Sequence, residues 1–359
     1  MFNSTIKHPS PDLPLTTIII VNYNCYEDLV RCLESIINNT HNNYEIIVVD
    51  NASTNGTTHF IQSKFENVKV IFSKKNLGFG GGCNLGALHS NGTFLLFLNP
   101  DTIVTHGWFE ALIQVLQSDS SIGLVTSKIL LSHHPEKINT CGNNVHITGI
   151  TQCRGLGYPK DLLNKIEDVL AISGAAFAIR RSLFEALEGF DEDMFLYMED
   201  TDISVRAKLA GWRCVYVPES VVFHDYSFKL TNLKIFYQER NRYLMLCKNF
   251  KWLTLIFLLP SLILAELITW AFVFWKDRSN FKSKYDTYRW VFINWRRVLH
   301  KRNQTQNLRK TSDRKLLEKA TFKLNFDQIY SGILILITQF FVNSFFFIMK
   351  YFLLCFIWW

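Results

Sequence analysis

Four short apolar runs early in the chain each stop on polar side chains: "IIIVNYN" (18–24), "IIVVDNAS" (46–53), "VIFSKKN" (70–76) and "FLLFLNPD" (94–101). Between them, "YEDLVRCLESIINN" (26–39), "GTTHFIQSKF" (56–65) and "GCNLGALHSN" (82–91) carry helical spacing. Buried strands alternating with amphipathic helices predict an α/β fold, a mostly parallel sheet with helices on both faces. Such sheets bind ligands outside the carboxyl ends of their strands. There stand Asn22 and Asn24, Asp50 and Asn51, Asn76 and Gly78, then Asn99 and Asp101. One polar strand end is an ordinary turn signal; four in succession predict a site for a polar, phosphate-bearing ligand. The fourth is the sharpest, because Pro100 has no N–H to continue a sheet ladder, so the strand must stop and present Asn99 and Asp101.

Past residue 120 the pattern loosens into a mixed region, then tightens over 172–227. Ser173-Gly174-Ala175-Ala176 permits close backbone approach. A short helix is expected over 181–187. Glu199, Asp200 and Asp202 open another, ended by Gly211, and a strand pair brings His224 to a polar tip. Asp101 at a strand end suits a hard divalent cation clamping a diphosphate, and Mn²⁺ accepts an imidazole such as His224 readily. A hydrogen-bonded sheet histidine is an equal alternative for His224. Helix dipoles favour acids at helix N-termini. Yet three acids in four residues repel one another, and that crowding raises a carboxyl towards general-base range; Asp200 or Glu199 would then take a proton from an acceptor hydroxyl. "NLGFGGGCNLG" (76–86) is a weak match to a dinucleotide-binding loop, since it follows the third strand instead of the first. A nicotinamide oxidoreductase is therefore disfavoured.

The C-terminal third has a different composition. From Trp252 to Trp275 only Glu266 is charged, and from Gly332 to Met349 nothing is. Each run is long enough to cross or lie in a bilayer. Between them, residues 276–323 hold 15 Lys or Arg against four acids, while the whole chain carries +7. A basic linker flanked by apolar runs reads as attraction to anionic headgroups, and nucleic-acid binding is disfavoured. Pro260 and Glu266 point to a re-entrant or in-plane helix over 252–275. The eight cysteines include no C-x-x-C pair, which suits reduced thiols on the cytoplasmic side. The expected organisation is an N-terminal tail (1–14), a catalytic domain (15–230), a connecting helix (231–250) and a membrane-associated region (251–359).

The ordered set "IIIVNYN", "IIVVDNAS", "NLGFGGGCNLG", "FLNPD", "SGAAFAIRRSLFEALEGFDEDMFLYMEDTDISVRA", "GWR" and "FHDYS" resembles family 2 glycosyltransferases of the GT-A fold, nearest the rhamnosyltransferase-like branch. The resemblance spans roughly residues 15–249. It implies an inverting transferase that uses a nucleotide-diphosphate sugar and Mg²⁺ or Mn²⁺. Asn99-Pro-Asp101 stands where the family has D-x-D, so Asp101 would bind the metal with His224 as a later ligand, and Asn99 replaces the first acid. Asp50 would contact the base or ribose, Asn22 and Tyr23 would line that pocket, and Asn76 and Gly78 would lie along the donor. Asp200 matches the general base. Processive synthases of the superfamily carry Q-x-x-R-W; here Gln238-Glu-Arg-Asn-Arg242 departs from it, implying a distributive enzyme adding one sugar to a lipid-linked acceptor such as a polyprenyl-diphosphate sugar. The rivals are a processive synthase and a non-catalytic membrane scaffold. The implied setting is membrane-associated, with the catalytic domain cytoplasmic.

Overall fold

The computed structural model describes residues 13–41, 43–227, 231–276, 278–325 and 333–359; most of the expected N-terminal tail lies outside them. The four apolar runs form β1 (Thr16–Asn22), β2 (Tyr44–Asp50), β3 (Val68–Phe72) and β4 (Phe94–Leu98). They are connected by α1 (Tyr26–Asn39), α2 (Thr57–Lys64) and α3 (Gly78–Leu88). All residues of β1 and β4 are buried, as expected of parallel strands covered on both faces. After a short β5 (Thr102–Val104) and α4 (Trp108–Ser118) come β6 (Ile122–Leu131), β7 (His134–Thr140), β8 (Asn143–Val145), β9 (Thr151–Cys153), β10 (Glu167–Asp168) and β11 (Ala176–Arg180). Then follow α5 (Arg181–Ala186), α6 (Glu199–Leu209) and β12 (Arg213–His224).

The main sheet runs β3-β2-β1-β4-β11-β6-β12-β10, with β5 beside β12 and β7 beside β6. Its first four strands are parallel, and the direction reverses at β11, which pairs antiparallel with both β4 and β6. The expected strand pair before His224 is one long strand, β12, with a register shift between Val217 and Val221. The helix expected over 82–91 begins four residues earlier, at Gly78. The reason is close packing: a Cβ at Gly82 would lie 2.6 Å from Val21 Cγ1, and one at Gly86 would lie 2.6 Å from Ile19 Cγ2. Glycine here costs helix propensity but lets α3 lie directly on the strands.

The C-terminal third consists of α7 (Asn232–Asn249), α8 (Trp252–Lys276), α9 (Phe281–Ile293), α10 (Trp295–Asn307), α11 (Asp313–Lys319) and α12 (Ile333–Phe356). Part of the basic linker faces protein. Lys301 pairs with Asp191 and Asp193, Arg297 with Asp193, and Lys284 with Glu239. Arg302 donates to the Cys247 and Phe250 carbonyls. Cations including Lys282, Arg289 and Arg296 remain exposed.

Asp202, the third acid of the cluster, joins these layers. It is fully buried, receives Arg206 Nε at 2.7 Å and lies 2.9 Å from Lys248 Nζ. Arg206 also donates to the Leu187 and Gly189 carbonyls at 2.7 and 2.9 Å. Removing one member of such a pair strands buried charge. Asp202→Ala is therefore expected to cost about 3–5 kcal/mol, read as a lower melting temperature, whereas an unchanged melt would show that these charges are solvated.

Candidate active site

At the end of β4, Asn99 Nδ2 lies 3.5 Å from His224 Nε2 and Asp101 Oδ1 lies 3.3 Å from the same nitrogen. The β5–β12 pairing sets this approach, because His224 is in register with Thr102. His224 Nδ1 is 2.9 Å from Asn139 Oδ1. With Nδ1 engaged by Asn139, Nε2 is the ring nitrogen that faces Asp101. Asp101 Oδ1 is itself buried without a hydrogen bond. An imidazole nitrogen and a carboxyl oxygen thus face one another, an arrangement that a shared proton or a cation satisfies. Among the described residues no group of three or more His, Cys, Asp or Glu is placed to hold a metal ion. Asp101 and His224 form a pair.

The ends of β1 and β2 form a second patch. Asn22, fully buried, donates through Nδ2 to Ser53 Oγ at 3.2 Å, and Asp50 Oδ1 accepts from the Ser53 N–H at 2.9 Å. The Tyr23 ring is 47% exposed beside them, free to offer a face. Asn76 and Gly78 sit slightly apart from this patch. Asn51 donates to Asn76 Oδ1 and to the Gly78 carbonyl, both at 3.0 Å, and accepts from the Leu77 N–H at 2.8 Å. Gly78 is buried, with φ +73°, and a Cβ there would lie 2.1 Å from the Phe195 carbonyl oxygen. Its part is close packing against the 195 segment.

The third patch is the start of α6. Asp200 Oδ2 accepts from the Gly174 N–H at 2.9 Å and from Asn143 Nδ2 at 3.0 Å, while Oδ1 accepts from the Thr201 N–H at 2.7 Å. Burial pushes its carboxyl above the usual range, and these bonds hold it back. Glu199 has less help, a single bond from its own backbone N–H. Its Oε2 is buried without a hydrogen bond, and burial first, then the charges of Asp200 and Asp202, push it up to about 8. For Asp202 burial also raises the carboxyl, but Lys248 and Arg206 outweigh it and leave the net shift downward. The three acids thus separate into Glu199, pushed furthest up, a hydrogen-bonded Asp200 whose rise is held back, and a structural Asp202.

One strand junction joins the patches. The Asn99 N–H donates to the Ala175 carbonyl at 3.0 Å, and Gly174, next in sequence, donates to Asp200. Asp101 and Asp200 therefore flank a single β4–β11 contact. Sequence reasoning overlooked Asn139 and Asn143, which stand in an irregular stretch with no periodic pattern to mark them. It noted Asn51 as a strand end without seeing that it braces the next loop.

Residues 17–187 match the family model described as Glycosyl transferase family 2. It is similar to the N-acetylglucosaminyl-diphospho-decaprenol L-rhamnosyltransferase of Mycobacterium tuberculosis, 27% identical over 58% of this chain and 75% of that one. It is also similar to the rhamnosyltransferase WbbL of Escherichia coli, 28% identical over 58% of this chain and 82% of that one. Among solved structures, GalNAc-T7 with UDP, GalNAc and Mn²⁺ superposes with a TM-score of 0.52 at 22% identity, covering 60% of this chain and 44% of that one. TarS 1-349 of S. aureus gives 0.52 at 15% identity, covering 86% of this chain and 84% of that one. These likenesses show the GT-A fold.

Glu199 supplies a pH test. Its folded pKa lies above its unfolded value near 4.5, so between about 4.5 and 8 the unfolded chain binds fewer protons and stability falls as pH rises. Glu199→Gln is expected to abolish that loss: its melting temperature should exceed the native one at pH 8, and the gap should close near pH 4.5. A pH-independent difference would place the charge of Glu199 elsewhere.

Proposed function

Starting from the match to family 2 glycosyltransferases, we propose that this chain transfers one sugar, with inversion, from a nucleotide-diphosphate donor to a hydroxyl of a lipid-linked glycan. The observation that carries the reading is the pair of unlike carboxylates flanking the β4–β11 junction. Asp101 points an unbonded buried oxygen at His224, and Asp200 accepts from donors in three directions. Asn22, Tyr23 and Asp50 would hold the base and ribose, the Tyr23 ring offering a stacking face. The 76–78 loop would border the donor, and Asn99 would sit at its diphosphate. Asp200 takes the acceptor proton as the hydroxyl attacks the anomeric carbon from the face opposite the leaving group. Glu199, kept neutral beside it, avoids a second negative charge there.

The residues at the end of β4 fit a divalent cation, because the orphaned Asp101 oxygen and the His224 nitrogen are the donor types Mn²⁺ or Mg²⁺ accepts. Such an ion, held by Asp101 and His224 and completed by phosphate oxygens, would neutralise charge on the departing diphosphate. The lipid-linked acceptor draws on the M. tuberculosis relative, whose name specifies a diphospho-decaprenol sugar.

The same reading puts the enzyme on one leaflet, with its catalytic domain cytoplasmic. Trp252–Phe274 and Ile337–Phe356 are long and apolar enough to cross a membrane. Yet α8 buries Thr254, Leu258, Ser261, Ala265 and Val273 along one face and exposes Leu253, Ile256, Leu259, Ile263 and Leu267 along the other. Its Glu266 accepts from Arg242 at 2.6 Å and Tyr288 at 2.5 Å. A helix attached along its length to the catalytic layer would lie in the interface plane with its outer face in lipid.

Two measurements test this. Nucleoside diphosphate release should be followed over a panel of UDP, dTDP and GDP sugars with a polyprenyl-diphosphate acceptor. One donor should turn over, EDTA should stop it, and Asp101→Ala and Asp200→Asn should each lower the rate at least about 100-fold. Silence across the panel would sink the transferase. For the leaflet, Ile256→Glu with Ile263→Glu should weaken flotation with anionic vesicles by about 100-fold or more, from the lost burial of two aliphatic side chains. Binding equal to that of the native chain would reject the outer face of α8 as the docking surface.

A further inference from the structure

The string Gln238-Glu-Arg-Asn-Arg242, which departs from the synthase motif, has a place the proposed reaction has not used. Asn241 is fully buried on α7, and its Nδ2 faces three carbonyl oxygens: Met194 at 2.9 Å, Leu196 at 2.9 Å and Tyr197 at 2.7 Å. The preceding residue, Arg240, donates to the carbonyls of Asp193 and Met194. Its Nε also donates to Asn241 Oδ1 at 3.0 Å, which fixes the orientation of the amide. One side chain and its neighbour thus bind the carbonyls of four residues within a five-residue segment.

That segment is strained. Phe195, Tyr197 and Met198 have φ of 59°, 65° and 70°, a region that side chains with a Cβ seldom occupy. Phe195, with ψ −62°, is the centre of a γ-turn in which the Leu196 N–H donates to the Met194 carbonyl at 2.6 Å. Such a backbone persists only where its surroundings over-determine it. The Phe195 ring stacks on Tyr237 of α7 at 5.3 Å, so α7 grips side chain and backbone together. Met198 immediately precedes α6, and Glu199 and Asp200 are the first residues of that helix. Relaxing the segment would therefore move the start of α6 and the cage around Asp200.

We propose that Asn241, oriented by Arg240, is a positioning residue: it holds residues 194–198 in their strained path and so sets Asp200 against Gly174 and Asn143, ready to take the acceptor proton. This rests on the transferase reading above. The segment also supports the donor side, because the Phe195 carbonyl accepts from the Phe79 N–H at 2.8 Å where Gly78 packs beneath it. Asn241 therefore acts through the backbone and touches no reactant.

The test compares Asn241→Ala, Asn241→Asp and Asn241→Ser with the native chain, using the donor that turns over. Aspartate matches the shape of asparagine but offers no N–H, so it should be the most damaging. Serine keeps one donor and should fall between alanine and the native residue. The expected result is a fall in kcat of about ten- to hundredfold, as for a small misplacement of a reacting group, with a smaller rise in the donor KM. The acid limb of the kcat profile should move to higher pH, because Asp200 loses bonds that stabilise its anion. Amide exchange over 195–200 should speed up while the C-terminal half of α7 stays protected, a readout that survives if activity is lost altogether. A native kcat in Asn241→Ala, or native exchange over 195–200 in a folded variant, would overturn the proposal. Silence of the native chain itself would instead remove the transferase reading on which it rests.

Discussion

The site depends on one reversal of strand direction. Up to β4 the sheet is parallel and its carboxyl ends face one way; β11 then pairs antiparallel with β4, placing Ala175 opposite the end of that strand. Asn99 and Gly174 thereby stand side by side, each next to a residue of the proposed chemistry. A purely parallel continuation would have put the amino end of the next strand at a different level and separated Asp101 from Asp200. Proline at position 100 enforces the break, since the chain cannot extend β4 past Asn99 and must turn.

Environment assigns different tasks to chemically similar side chains. Glu199, Asp200 and Asp202 lie within a single helical turn. Asp202 meets Arg206 and Lys248 in the interior, Asp200 meets neutral hydrogen-bond donors at the mouth, and Glu199 meets none through Oε2. Proximity alone would make all three reluctant anions. The partners decide which keeps its charge, and they come from different parts of the chain: Lys248 from α7, Asn143 from β8 and Gly174 from the approach to β11.

This explains how far the sequence could be read. The strand–helix alternation and polar strand ends are local signals, and they located β1 to β4, Asp50, Asp101 and the acidic cluster. The α3 boundary was misplaced because glycine reads as a turn-former in isolation, whereas here it serves contact with Val21 and Ile19 from other elements. Asn139 behind His224 and Asn143 behind Asp200 carry no periodic or motif signal; the β6–β7 pairing and the bridge from Asn143 to Ala171 bring them close. The basic linker was only partly legible for a related reason. Its charge was visible, but the acids that neutralise part of it, at 191, 193 and 239, lie in other elements.

Helix α7 is where these strands of argument meet. Its Arg240 and Asn241 face the segment before the acidic cluster, and its Glu239 and Arg242 face Lys284 of α9 and Glu266 of α8. The two faces are consecutive along the helix, so a rotation of α7 that loosened one would disturb the other. Glu266, the single charge in its apolar run, is paired: it ties α8 to Arg242 of α7 and Lys284 of α9. Under the leaflet reading, an acceptor whose lipid tail stays in that leaflet would present its sugar at a height set by α8, and the base would be held at a height set by α7. The buried ion cluster between those helices makes the two heights one distance.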